Sequence, residues 1–266
     1  MSSKSTMTES NPDFKYPRRR VLRTVLRRLS AAAFALLCDL EITGQENLPK
    51  EGPLLVVGNH FSFVDPVAMI RATPWPLEFI GGFANPSAPP VVKWIPHLWG
   101  RYHVFRGTGS RYALRGAEAV MAQRGVLGIF PEGGSWAPVL RPPRPGTAFL
   151  AARTKARLLP MGFDGMIDIF PRLQKGKRAK ARVRIGKPFG PFTVTGRGRE
   201  RRRQLDEIGH EMMRRIRDLI PPERHGYYSD DPAIREAAKG TEIYPWADVI
   251  EGEVDRMPER DRVNMV

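Results

Sequence analysis

The run Leu54-Leu55-Val56-Val57, ended at once by Gly58-Asn59-His60, constrains this chain more than any other stretch. Apolar residues in succession, without polar alternation, make a strand covered on both faces, and such a strand demands helices on both sides of its sheet. A second run, Val126 to Phe130, has the same design and leads into Pro131-Glu132-Gly133-Gly134. In open α/β sheets ligands bind where strands give way to helices, so both runs place polar residues where a site forms. The expected fold class is α/β: a largely parallel or mixed central sheet flanked by helices, with an N-terminal amphipathic helix.

The remaining pattern fills in that plan. Residues 1–16 are polar and Ser/Thr-rich and read as a disordered arm. Over residues 17–40, Leu22, Val25, Leu26, Leu29, Ala33, Leu36 and Leu37 share one helical face, with Arg20, Arg23 and Arg27 on the other. Two readings fit: a membrane-associating helix lying in the interface, or a surface helix packed on the core. Residues 39–45 alternate as a strand does, and Pro74 to Pro96 reads as a loop over the sheet edge. Short strands are expected at 102–105, 158–162 and 181–185, and helices at 111–123, 146–156 and 200–219. Residues 41–225 thus form one domain. The acidic tail, 226–266, has no sustained apolar period.

A length of 266 residues suits one α/β domain with appendages. The net charge of +15 is uneven: residues 226–266 carry ten Asp/Glu against five Lys/Arg, which leaves residues 1–225 at +20. Such a body favours a polyanionic partner, whether nucleic acid, an anionic bilayer or a phosphorylated small molecule. The single cysteine, Cys38, excludes an intramolecular disulfide and a multi-cysteine metal site, and fits a cytoplasmic setting. The uncharged stretch Leu29 to Cys38 is too short to span a bilayer. The expected location is therefore peripheral, on the cytoplasmic face of a membrane.

The segment Asn59-His60-Phe61-Ser62-Phe63-Val64-Asp65-Pro66 sets a histidine and an aspartate five residues apart across a strand-to-helix turn. A carboxylate that accepts from one imidazole nitrogen fixes the tautomer and leaves the other nitrogen to take a proton, which is what a general base acting on an alcohol requires. Taken alone, the pair fits equally a helix cap at Asp65 and a satisfied polar residue at His60.

Asn59-His60-x4-Asp65 resembles the His-x4-Asp signature of the glycerolipid acyltransferases, the family of lysophosphatidic acid and glycerol-3-phosphate acyltransferases. Three further blocks follow in the family's order. Val104-Phe105-Arg106-Gly107 is similar to the second block, Phe130-Pro131-Glu132-Gly133-Gly134 to the third, and Leu159-Pro160-Met161-Gly162 to the fourth. The correspondence runs from about Leu48 to Phe189, and ordered blocks together are far more specific than any one.

The resemblance implies that residues 41–225 are an acyltransferase domain in which His60 and Asp65 are catalytic. Asn59, Arg106, Glu132, Gly133, Gly134, Arg141 and Arg144 are the expected substrate-binding set. Arg106 would meet the acceptor's phosphate, Glu132 an acceptor hydroxyl, and amides of the 132–134 turn a tetrahedral oxyanion. Lys93 is a weaker candidate for contact with phosphate. The implied partners are a lysophospholipid acceptor, an acyl thioester donor and an anionic membrane surface, with no nucleic acid and no metal. No cofactor is expected beyond acyl-CoA or acyl carrier protein as co-substrate. The third block departs from the family at one place: a small hydroxyl residue and then arginine normally follow Gly133, and Gly134-Ser135-Trp136 stand here. Arg141 or Arg144 would have to supply the missing charge, or the acceptor differs. Rival readings are another glycerol- or lysolipid-type acceptor, a non-catalytic anionic-lipid-binding protein, a nucleic-acid binder built on Arg197 to Arg203, and a metal hydrolase using His60, His97, His103 and Asp65.

Overall fold

The computed structural model describes residues 14–82, 95–104 and 111–245. Lys93 and Arg106 lie outside the described residues. The elements in chain order are α1 (Arg20–Leu37), β1 (Cys38–Thr43), β2 (Leu54–Gly58), α2 (Asp65–Ala72), β3 (Glu78–Gly82), α3 (Ile95–Trp99), β4 (Tyr102–Val104), α4 (Arg111–Ala122), β5 (Val126–Ile129), α5 (Pro145–Thr154), β6 (Arg157–Asp164), α6 (Ile169–Leu173), β7 (Ala179–Ile185), α7 (Gly198–Arg217) and α8 (Pro232–Ala238).

The strands form one sheet in the order β1-β7-β6-β2-β5-β3-β4. All neighbouring pairs are parallel except β6 with β7. The sheet is therefore mixed. From β2 the chain crosses to β3 on one side, and from β5 it crosses to β6 on the other. The crevice between such diverging connections, at the carboxyl ends of β2, β5 and β6, is where an α/β sheet opens a site.

The unbroken apolar run of β2 has the expected cause. Leu55 and Val57 enter one core cluster with residues of α4, α5 and α7, and Leu54 and Val56 enter another with residues of α2 and β7. A strand covered on both faces has no position at which a polar side chain reaches water.

Three features differ from the sequence expectation. The stretch read as a loop contains β3, whose Glu78 is completely buried. The arm expected over residues 1–16 is anchored at its described end, where Phe14 is buried in the core. The acidic tail contains α8, whose first turn is capped by the Asp231 carboxylate accepting from the Ala233 N–H at 2.8 Å.

The helix expected near the N-terminus is present as α1, and it packs on the core through the side that carries Arg23. Arg23, Ser30 and Phe34 are buried, and Val21, Leu22, Val25, Leu29 and Leu36 are exposed. Arg23 turns inward because Glu78 waits there: its guanidinium makes two parallel bonds to that carboxylate at 2.5 and 2.8 Å, and a third to the Trp99 carbonyl at 3.0 Å. Arg18 adds bonds to the same carboxylate at 2.5 and 3.0 Å. No helix among the described residues is long and apolar enough to cross a membrane.

Candidate active site

His60 sits just past the end of β2, on a turn that delivers the chain into α2. Its Nδ1 lies 3.1 Å from Asp65 Oδ2, so Nδ1 carries the proton and Nε2 is left as the basic nitrogen. The same oxygen accepts from the Phe61 and Ser62 N–H groups, each at 2.7 Å. Asp65 is the first residue of α2, yet its side chain makes no capping bond there. The carboxylate folds back over its own turn, so the helix-cap reading of Asp65 is corrected. Burial pushes the Asp65 carboxyl up, and the His60 ring with the two amides draws it back down. The His60 ring is stacked on Phe130, at 4.2 Å between centroids and 23° between planes.

Glu132 reaches the site from the end of β5. One of its oxygens accepts the His60 N–H at 2.7 Å, and the other accepts Arg141 Nε at 2.9 Å and the Arg141 N–H at 3.2 Å. Arg141 in turn donates through Nη2 to the His60 carbonyl at 3.2 Å and to the Gly134 carbonyl at 2.5 Å. Both side chains are buried. Burial pushes Glu132 up, and the Arg141 charge followed by the His60 amide opposes it. This pair fastens the third block beneath the His60 turn.

The other expected residues divide by exposure. Asn59 is completely buried and clasps the backbone of Phe163, accepting from its N–H at 2.7 Å and donating to its carbonyl at 2.9 Å. It holds the end of β2 against β6. Gly133 adopts φ 82°, in the left-handed region that favours glycine, and its N–H donates to the Phe130 carbonyl at 3.0 Å. That amide closes the turn, whereas the Gly134 N–H, like that of Glu132, has no hydrogen-bond partner among the described residues. Arg144 is exposed and starts α5, and its Cγ lies 3.2 Å from where a Gly133 side chain would begin.

His60, Asp65, Glu132, Gly133, Gly134, Arg141 and Arg144 are thus gathered at one edge of the sheet, and Asn59 supports it from below. His97 and His103 belong to α3 and β4, at the far side of β3. Among the described residues no group of three or more His, Cys, Asp or Glu is placed to hold a metal ion. Two contributors were missed in the sequence. Phe130 carries the His60 ring, and Trp136 lies under the Arg141 guanidinium, whose Cζ is 3.8 Å from the ring centroid. An aromatic residue immediately before or after a glycine-rich block was the available signal for both.

A histidine–aspartate dyad at the carboxyl edge of a mixed sheet, with a glycine turn beside it, defines an acyltransferase-type α/β protein. Residues 39–164 match the family model described as Acyltransferase, and the match supports the glycerolipid type read from the motif blocks. Among solved structures it is similar to the 1-acyl-sn-glycerophosphate (LPA) acyltransferase PlsC from Thermotoga maritima. That likeness has 22% identity and a TM-score of 0.50, and it covers 76% of this chain and 84% of the other. At that identity the likeness speaks for the fold. Comparison with curated protein sequences gave no match.

Proposed function

We propose that this protein moves a fatty acyl group from acyl-CoA or acyl carrier protein to a hydroxyl of a lysophospholipid, 1-acyl-sn-glycerol-3-phosphate before others, in phospholipid biosynthesis. The observation that carries the reading is the His60–Asp65 contact at 3.1 Å, on a turn locked to the Glu132–Arg141 pair. In this reading His60 Nε2 takes the proton of the acceptor hydroxyl as its oxygen attacks the thioester carbonyl. Asp65 holds the imidazolium that forms. The tetrahedral oxyanion then collapses, the carbon–sulfur bond breaks, and the carrier leaves as a thiol. The Gly134 amide is a donor available to that oxyanion.

Arg141 is buried, bonded through Nε to Glu132 and through Nη2 to the His60 and Gly134 carbonyls, so Arg144, exposed beside the turn, supports recognition of the acceptor's phosphate, with Arg106 as its expected companion. Glu132 supports the site by positioning. The exposed apolar stripe of α1 supports docking on an anionic membrane surface, at its cytoplasmic face. A second reading, transfer to a different glycerol- or lysolipid-type acceptor, is favoured by Ser135-Trp136 standing where the family pattern has an arginine.

The test is acyl transfer by purified protein, read as thiol release, across a panel of lysolipids and acyl thioesters. His60→Ala should lower turnover on the order of 10²-fold or more while lipid binding persists. Full turnover in that variant refutes the role of His60.

A further inference from the structure

The stretch that departs from the family pattern is the stretch on which the C-terminal segment rests. The Trp136 indole N–H donates to the Thr241 carbonyl at 2.7 Å, and its ring meets Tyr244 nearly edge-on with centroids 5.2 Å apart. Because Arg141 lies over the same indole, this segment is joined through Trp136 to the Glu132–Arg141 pair below His60. The chain runs on to Glu242. There the backbone carbonyl accepts from Arg144 Nη2 at 3.1 Å, and the carboxylate accepts from the Tyr227 hydroxyl. The Tyr227 hydroxyl first, and the Arg144 charge after it, hold the Glu242 carboxyl below the usual range. It is therefore an anion at neutral pH.

Arg144 is the guanidinium that the proposed chemistry offers to an acceptor phosphate, and here a tail carbonyl occupies it with a tail carboxylate alongside. A phosphate presents a guanidinium with two parallel charge-assisted bonds and more negative charge than one carboxylate. The Glu242 carbonyl already takes Arg144 Nη2, so a phosphate bonded in parallel to that donor must displace it. The segment is tied down at points rather than by a packed apolar face. Thr241 donates through its N–H and its hydroxyl to the Ala238 carbonyl at 3.1 and 2.7 Å, Ile243 donates to the Gly240 carbonyl at 3.2 Å, and the Ile243 side chain is 67% exposed. A segment held without an apolar face of its own opens locally at less cost than the core does.

We propose that residues 239–245 form a displaceable strap that competes with a phosphate-bearing acceptor for Arg144 and so sets the acceptor selectivity of the turn. This rests on the reading of Arg144 as the phosphate contact. It gives Trp136 a purpose: the indole one residue past the place of the family's arginine is the strap's anchor. A neutral acceptor reaches the turn without contesting Arg144, and an anionic one must lift the strap.

The experiment compares the whole protein with Glu242→Gln, which keeps the shape and a hydrogen-bond acceptor for Tyr227 but removes the charge. The acceptors are 1-acyl-sn-glycerol-3-phosphate and the monoacylglycerol with the same chain. The variant should lower KM for the phosphate-bearing acceptor roughly two- to fivefold, with kcat unchanged and KM for the neutral acceptor unmoved. An unmoved KM for the anionic acceptor, or an equal change for both, overturns the proposal. Amide hydrogen exchange of residues 239–245 supplies a readout that needs no turnover: it should quicken with lysophosphatidate and not with monoacylglycerol. Identical exchange under both conditions also overturns the strap. If neither acceptor is acylated by wild-type protein, the acyltransferase reading fails, and the exchange result alone decides the strap.

Discussion

Arg141 Nε, the Arg141 N–H and the His60 N–H converge on the two oxygens of Glu132, so the carboxylate faces inward and its bonds fix the backbone on which His60 stands. A buried ion pair of this kind contributes little net stability against an apolar replacement, but loss of one partner strands a charge, at a cost of about 3–5 kcal/mol. Glu132→Gln should accordingly lower the urea midpoint and the melting temperature sharply, and turnover should fall with them. Replacing Arg141 by Met in the same chain removes the stranded charge and should restore much of the stability but not the turnover. A Glu132→Gln protein of wild-type stability, with only its acceptor KM raised, would instead mark Glu132 as a ligand of the acceptor hydroxyl. At this scale the sequence was most readable where partners are close in the chain. His60 and Asp65 are five residues apart, and their contact follows from the turn between them. Glu132 and Arg141 are nine apart across an irregular loop, and neither residue type says whether the pair faces substrate or core. Trp136 and Thr241 are 105 residues apart, and nothing local announces their meeting.

Among the elements, β2 and β5 were legible because double-sided burial leaves an unbroken apolar run, and β3 was not because Glu78-Phe79-Ile80-Gly81-Gly82 mixes a charge with two glycines. The charge is tolerated there only because Arg18 and Arg23 neutralise it, which is information from a distant part of the chain. The same missing partner explains α1. Apolar periodicity located the helix but left open which face meets the core, since an arginine is buried only when a carboxylate has been buried to meet it. The edge strand β4 carries a further consequence. Burial, then the Arg101 charge, holds His103 down to about 4 from 6.5. The folded form thus stays neutral while the unfolded chain takes up a proton, so stability is lost as pH falls from about 6.5 toward about 4 and is unaffected above that window. With screening of a side chain this close to solvent, the loss at mild acidity is on the order of 1 kcal/mol. His103→Gln should flatten that part of the profile, read as the difference between urea midpoints at neutral and mildly acidic pH. Equal acid sensitivity in the two proteins would place the titrating group elsewhere.

For the whole molecule, the proposed docking on a bilayer draws on two physically different attractions, and salt separates them. Residues 1–225 carry a net +20, and each Lys or Arg near an anionic leaflet adds about 1 kcal/mol that fades within a Debye length. The stripe Val21, Leu22, Val25, Leu29 and Leu36 is exposed while Arg23, Ser30 and Phe34 of α1 are buried, and transfer of apolar area from water does not depend on screening. Binding to anionic vesicles should therefore drop steeply as salt rises and then level at a residual set by the stripe. The double variant Val25→Glu/Leu29→Glu should bind on the order of tenfold or more weakly at every salt concentration. Its melting temperature should be unchanged, since both positions already face solvent. Flotation on vesicles, with duplex DNA as the competing polyanion, reads the two attractions together. DNA binding would fall with salt toward zero and ignore the double variant, because a nucleic acid makes no use of an apolar helix face. If the variant floats as wild type does, the stripe does not touch lipid, and the charge alone brings the protein to the surface.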